Sequence, residues 1–212
     1  GAIVDKGQIF QLINAILQGD KVVAIVAPAF LGQFGPDATP ERLTAAMKRL
    51  GFAGVVEVAV GADLCTIEEA KDFMEKVPAE QPFMATSCCP SWSVMAKKLF
   101  PQFADYISMA LTPMVLTARL QKQKDPGCRI AFIGPCAAKK LEASRRTIRS
   151  DVDFVLTFEE LQGMFEAKGV DFAAIPEGDS MREGTAAGRG FAVSGGVAKA
   201  VADLIRETHP EV

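Results

Sequence analysis

Apolar residues along the chain fall into two alternating patterns: short β-branched runs, and longer stretches in which they recur every three or four positions. "KVVAIVA" (21–27) and "AGVVEVA" (53–59) are short apolar runs and predict buried strands. Between them a helix is predicted to start at Thr39, with Pro40 at its first position, and to stop at Gly51. "TIEEAKDFMEKV" predicts a second helix start, because Thr66 and Glu69 have capping-box spacing. "PFMAT" (82–86) and "RIAFIG" (129–134) predict further strands with helices after each, and "VDFVL" (152–156) precedes another capping box, Thr157 with Glu160. Such alternation predicts an α/β fold in which parallel β-sheets are flanked by helices. The polar, glycine-rich stretch "PEGDSMREGTAAGRG" (176–190) predicts a long loop, and "KQKDPG" (122–127) marks a boundary between two lobes, 1–125 and 126–212.

Composition narrows the function. The 212 residues, 49% of them hydrophobic, are enough to bury a core. A net charge of −3 provides no basic field for a phosphate backbone, so nucleic acid is not an expected partner. The longest apolar run, "VVAIVAPAFL" (22–31), is interrupted by Pro28 and falls short of the roughly 20 residues a spanning helix needs. The N-terminus lacks the pattern of a secretory signal, and the five cysteines are an odd number. Both features predict a reducing, cytoplasmic setting with cysteines kept as thiols or metal ligands. The start at Gly1 and the abrupt end "HPEV" predict a piece of a longer protein.

Candidate chemistry sits at three predicted strand ends: "VAPAF" (26–30), "TSCCPSW" (86–92) and "IGPCAAKKLEA" (133–143). The carboxyl ends of parallel strands face one crevice, so Ala27 to Ala29, Cys88, Cys89 and Cys136 are expected to converge. Helix N-termini at such a crevice favour thiolates and an anionic cofactor. Cys65 and Cys128 read as small core hydrophobes, whereas the proline-flanked Cys88, Cys89 and Cys136 have no evident packing role.

"TSCCPSW" followed by "GPCAAKKLEA" resembles the first two signature motifs of the catalytic domain of the iron-only, or [FeFe], hydrogenases, enzymes that interconvert protons, electrons and H2. Supporting matches run from "VAPAF" through "GADLCTIEEA" to "GFAVSGGV", over nearly the whole chain. The resemblance implies two intertwined lobes and an H-cluster, a 4Fe-4S cubane joined through a cysteine to a two-iron subcluster that carries CO, cyanide and a bridging dithiolate amine. It implies that Cys89 and Cys136 ligate the cubane, while Cys88 passes protons to and from the amine. Lys139 would offer its ammonium to a cyanide; Ala27, Pro28, Ala29 and Pro135 would line the two-iron unit, and Phe191 would pack near it. The family's proton path implies exchange from Cys88 through water to Glu69, then Ser108, then Asp72, with Lys76 at the exit. Glu69, Asp72 and Lys76 stand at i, i+3 and i+7, on one helix face.

Each role has a plainer competitor. Glu69 completes a capping box, and Asp72 and Lys76 suit a salt-bridged surface stripe. Core packing accounts for Ala27, Pro28, Ala29 and Phe191, and a solvated helix face is the reading for Lys140. The chain also departs from the family pattern. Asp72 replaces glutamate and Lys76 replaces arginine, and the shorter acid is expected to strain a relay that depends on hydrogen-bond reach. Gly134 stands where the family has methionine and Ala29 where it has serine. These changes resemble a divergent, sensory branch.

The family's third motif, with two more cysteines, would lie beyond Val212. A cubane takes four thiolates, so the expectation is a partial catalytic domain that cannot hold the complete H-cluster alone and is itself inactive or metal-free. Upstream ferredoxin-like cysteine runs are missing, which implies an electron donor such as ferredoxin or additional iron-sulfur domains. The basic run Lys139, Lys140, Arg145, Arg146 and Arg149 suits either an acidic electron carrier or a solvated helix face. The resemblance implies hydrogen metabolism in an anaerobe. Two alternatives stand beside it. One is an iron-sulfur assembly or scaffold protein, or an H2 sensor, of the same superfamily; a scaffold has no chemical reason to keep Lys139, Glu69 and Ser108. The other is a thiol switch through a strained Cys88–Cys89 disulfide.

Overall fold

The structure, a computed structural model, describes residues 5–145 and 151–211. Its centre is a four-stranded parallel sheet built from β1 (Val22–Val26), β2 (Gly54–Glu57), β3 (Arg129–Gly134) and β4 (Phe154–Thr157), in the order β2-β1-β3-β4. All of β1 is buried, as befits a strand with a neighbour on each side and helices over it. Its Val22 pairs with Arg129 of β3, and its Val23 with Gly54 of β2. The chain leaves β1 toward β2 and later returns on the other side through β3 to β4. The carboxyl ends of β1 and β3 therefore flank the point where the winding reverses, the usual place for a binding crevice in an open α/β sheet.

The helices follow the sequence pattern in part. α1 (Ile9–Leu17) precedes the sheet, and α2 (Pro40–Arg49) connects β1 to β2. Thr39 caps α2, its hydroxyl accepting the Arg42 amide at 3.2 Å, and Gly51 adopts a φ of 103° just past its end. Next come α3 (Ala59–Lys76), α4 (Pro90–Leu99), α5 (Pro113–Lys124), α6 (Ala138–Ser144), α7 (Phe158–Ala167), α8 (Ala186–Gly190) and α9 (Gly196–Thr208). The capping box at α7 is complete, with Thr157 accepting the Glu160 amide and Glu160 accepting the Thr157 amide. Phe34 meets Phe158 and Phe165 edge-on, at centroid distances of 5.7 and 5.6 Å, joining the loop after β1 to α7.

Four expectations need correction. α3 begins at Ala59, immediately after β2, and Thr66 lies inside it, where its hydroxyl donates to the Ala62 carbonyl at 2.9 Å instead of capping. Gly61, in the first turn of α3, is a packing site: a Cβ there would lie 2.3 Å from the Pro113 carbonyl oxygen and from Thr117 Oγ1 of α5. Residues 82–86 add no strand to the sheet. Only Ala85 bridges to Ile107, and Phe83 packs edge-on against Tyr106 with a centroid distance of 5.1 Å. The last strand is Phe154–Thr157; just before it, Asp153 donates its amide to the Ile130 carbonyl at 2.9 Å and accepts the Ile130 amide on its carboxylate at 2.8 Å. Finally, 176–190 is not loop throughout, since Thr185 caps the short α8 by accepting the Gly188 amide. No helix among the described residues is long and apolar enough to cross a membrane.

Candidate functional site

The turn after β1, the loop after β3 and the start of α4 meet at one cavity of about 230 Å3. Ala27, Pro28 and Ala29 come from the first, Pro135, Cys136 and Lys139 from the second and from α6, and Cys88 and Cys89 from the third. Phe191, just past α8, closes another side. The crevice inferred from strand ends thus forms, although the stretch before Cys88 is not a sheet strand. Ala27 is fixed by donating its amide to the Ile133 carbonyl at 2.8 Å. Cys89 is the N-cap residue of α4, with Pro90 at the first helical position. The Cys136 sulfur accepts the Ala138 amide at 3.4 Å and lies 3.9 Å from Ser91 Oγ.

The thiols differ in character. Cys89 and Cys136 are exposed, Cys88 is half-buried, and Cys65 and Cys128 are buried in the core. Burial pushes the Cys88 thiol up, against the pull of the Lys139 ammonium, so Cys88 holds its proton. Burial pushes Cys65 up to about 12, helped by the nearby Glu69. Lys139 Nζ donates to the Cys88 carbonyl at 2.9 Å and to Glu142 Oε2 at 2.6 Å. Lys140 does not lie on a solvated face: its ammonium is buried against Asp5 and Glu160, 2.8 Å from the latter. Of the basic run, Arg146 and Arg149 lie outside the described residues.

A second cluster lies along α3. Glu69 is 1% exposed, and neither carboxylate oxygen makes a hydrogen bond. Burial drives its pKa up to about 7, outweighing the stabilising influence of Ser108 and of the Ser87 amide. Ser108 donates to Asp72 Oδ2 at 3.3 Å, and the Lys76 ammonium lies 3.3 Å from the same oxygen. Asp72 therefore reaches both neighbours in spite of its missing methylene. Because α3 starts at Ala59, Glu69 has no capping role, and the plainer account of its presence falls away.

Two further departures acquire a physical setting. A Cβ at Gly134 would lie 2.4 Å from the Phe132 ring, so the glycine makes room for an aromatic side chain on the cavity wall. Ala29 faces both this cavity and a neighbouring one of about 400 Å3. Residues overlooked at the sequence level are Met114 and Phe132, which line the cavity, and Glu142, which is buried beside Lys139. Glu142 was legible, being one helical turn after Lys139 within the second motif.

Two exposed sulfurs on a mostly apolar cavity, with one ammonium on its wall, suit one side of an iron-sulfur cluster carrying anionic ligands. Among the described residues no group of three or more His, Cys, Asp or Glu side chains is placed to hold a metal ion. Cys89 and Cys136 are the two exposed thiols among the described residues, and both line the cavity.

Known proteins resemble this chain over most of its length. The family model for the iron only hydrogenase large subunit, C-terminal domain, matches residues 20–211. The chain is 30% identical to the NADP-reducing hydrogenase subunit HndD of Solidesulfovibrio fructosivorans, over 94% of this chain and 39% of that one. A structure of a variant of the [FeFe]-hydrogenase HydA1 from Chlamydomonas reinhardtii superposes with a TM-score of 0.72 and 28% identity, covering 85% of this chain and 53% of that one. A cytosolic Fe-S cluster assembly factor, NAR1 of Kluyveromyces lactis, is 34% identical over 51% of this chain and 24% of its own length. The chain thus spans about 39% of the length of its hydrogenase relative HndD.

Proposed function

The chain belongs to the iron-only hydrogenase large-subunit family, and on that premise we propose that it is part of the catalytic domain of an enzyme interconverting protons, electrons and H2. The observation that carries the proposal is the single cavity lined by Cys88, Cys89, Cys136 and Lys139. Cys89 and Cys136 would hold a 4Fe-4S cluster, and the other thiolates of such a site come from outside the described residues. When bound, the complete H-cluster would supply the electron transfer and the metal chemistry of H2. Ala27, Pro28, Ala29, Pro135 and Phe191 keep water away from it, and Lys139 offers an N–H to an anionic ligand. Free thiols suit a reducing compartment, and electrons would come from a ferredoxin or a further iron-sulfur domain.

The proton route runs along this chain's own side chains. Cys88 keeps its proton at neutral pH and can hand it toward the cavity or receive one from Glu69 by way of water. Glu69, with a pKa near 7, takes and releases a proton at little cost, as a carrier must. Ser108 both donates and accepts, and passes the proton on to Asp72, whose neighbour Lys76 stands at the surface. The NAR1 relative supports a second reading, a protein of iron-sulfur assembly that uses the same thiols without H2 chemistry.

The test is anaerobic reconstitution of the full-length parent with iron and sulfide, reading iron content and visible absorption for it and for its Cys89→Ser and Cys136→Ser variants. Loss of the cluster in both variants is expected. A cluster unaffected by either would refute the ligand assignment. H2 evolution by the full-length parent, abolished by Cys88→Ala and strongly reduced by Glu69→Ala, would separate the enzyme from the assembly factor.

A further inference from the structure

Glu142 is a carboxylate only 1% exposed, and the proton route does not use it. Burying a carboxylate costs several kcal/mol unless its oxygens are satisfied. Both are. Oε2 accepts from Lys139 Nζ at 2.6 Å, and Oε1 accepts from the hydroxyl of Thr112, the N-cap residue of α5. Lys139 spends a second N–H on the Cys88 carbonyl. An ammonium has three, so one remains, and Lys139 lies on the wall of the cysteine-lined cavity. Glu142 faces a different space, a cavity of about 330 Å3 that Ser87, Ser108 and Thr112 also line. The ion pair is thus a partition between two cavities, clamped from a second helix. An ordinary surface pair one helical turn apart has neither the burial nor the second helix.

We propose that Glu142, braced by Thr112, is a positioning residue that holds the Lys139 ammonium against the Cys88 carbonyl, so that its third N–H is presented to an anion in the cysteine-lined cavity. The proposal deepens the proposed function and rests on its assignment of Lys139 to an anionic ligand. The carboxylate largely cancels the charge of the ammonium, so Lys139 offers a directed hydrogen bond and not a diffuse positive field. An anion is then selected by where its acceptor atom sits.

The first test needs no cluster. NMR of the chain with isotope-labelled lysine reads the exchange rate of the Lys139 ammonium protons and the order parameter at its Cε. Slow exchange and a rigid side chain are expected in the wild type. Glu142→Ala should speed exchange at least about tenfold, since a hydrogen bond between charged groups is worth more than a power of ten. Thr112→Val should give a smaller increase, and Glu142→Gln should retain part of the protection, because its amide oxygen still accepts. Unchanged exchange and order in Glu142→Ala and Thr112→Val would overturn the proposal. Should Glu142→Ala fail to fold, an unchanged Lys139 in Thr112→Val and Glu142→Gln overturns it equally. In the anaerobically loaded full-length parent, Glu142→Ala should broaden and shift the infrared cyanide bands relative to wild type. Failure of the wild type to take up a cluster would count against the proposed function and leave the Lys139 measurements standing.

Discussion

At the scale of single residues, Glu69 couples the candidate site to stability. Its carboxyl titrates near 7 when folded, well above the usual carboxylate range, because burial penalises the anion. The folded chain therefore holds a proton that the unfolded chain has released over the interval between about 4.5 and about 7. Stability from this group is fully present below that interval, falls as pH rises through it, and is flat above it. Glu69→Gln should remove this part of the slope, leaving the variant more stable than wild type at pH 8 by up to roughly 3 kcal/mol. Urea titrations of both proteins at pH 4.5, 6 and 8 would measure it. Parallel pH profiles for the two would mean that Glu69 is ionised and solvated at neutral pH, which would remove it from the proton route. The same substitution should slow proton delivery in the loaded parent, so one side chain would trade fold stability for a carrier pKa near neutrality.

At the scale of elements, the alternation of strands and helices was legible because burial on both faces gives β1 and β3 uninterrupted apolar runs. Capping chemistry located the starts of α2 and α7 for the same local reasons that operate in the structure. The start of α3 was not legible, because Thr66 and Glu69 have capping-box spacing within a helix already under way, while no side chain caps its true start at Ala59 and Gly61 is there for a tertiary reason. Strand polarity accounts for the meeting of Ala27 and Cys136, whereas Cys88 and Cys89 reach the crevice from the start of α4 and not from a strand end, and the burial of Glu142 depends on a hydroxyl from another helix that no local pattern reveals. The glycine makes a direct prediction. Gly61→Ala places a methyl against the Pro113 carbonyl and Thr117, and α5 must move away, carrying Met114 of the cavity wall with it. The expected cost is about 1–3 kcal/mol, as for other overpacked cores, in spite of the better helix propensity of alanine. Denaturant unfolding would register it, and a stabilised variant would show that α3 and α5 are not in close contact. Thr157→Ala, which removes one half of a complete capping box, should cost about 1 kcal/mol by the same measurement.

At the scale of the whole molecule, the cavity is closed by a segment distant in sequence from the cysteines. Residues 176–190 return to the sheet edge through a buried carboxylate, Glu57 at the end of β2, which is 1% exposed, and Met181 of the segment is itself buried in the core. Arg189 binds it with two nitrogens, at 3.0 and 2.8 Å, and the Gly184 amide adds a third bond at 2.6 Å. Asp63 of α3 holds the backbone and the hydroxyl of Thr185. Phe191 and Ala192 follow this clamp directly and form the far wall of the cavity. Removing Arg189 leaves a buried carboxylate without its cation, a loss usually of about 3–5 kcal/mol. Global unfolding is not the cheapest response. Met181 is the one apolar side chain that the segment buries in the core, and detaching the segment returns Glu57 to water, so local opening should come first. Arg189→Ala is therefore expected to speed proteolysis within 176–190 while the far-ultraviolet spectrum stays native. In a Cys89→Ser, Cys136→Ser background, the same change should accelerate reaction of Cys88 with a thiol reagent, because Phe191 no longer covers its side of the cavity. Proteolysis and thiol reactivity that rise only together with loss of the whole fold would show instead that the clamp is part of the global core.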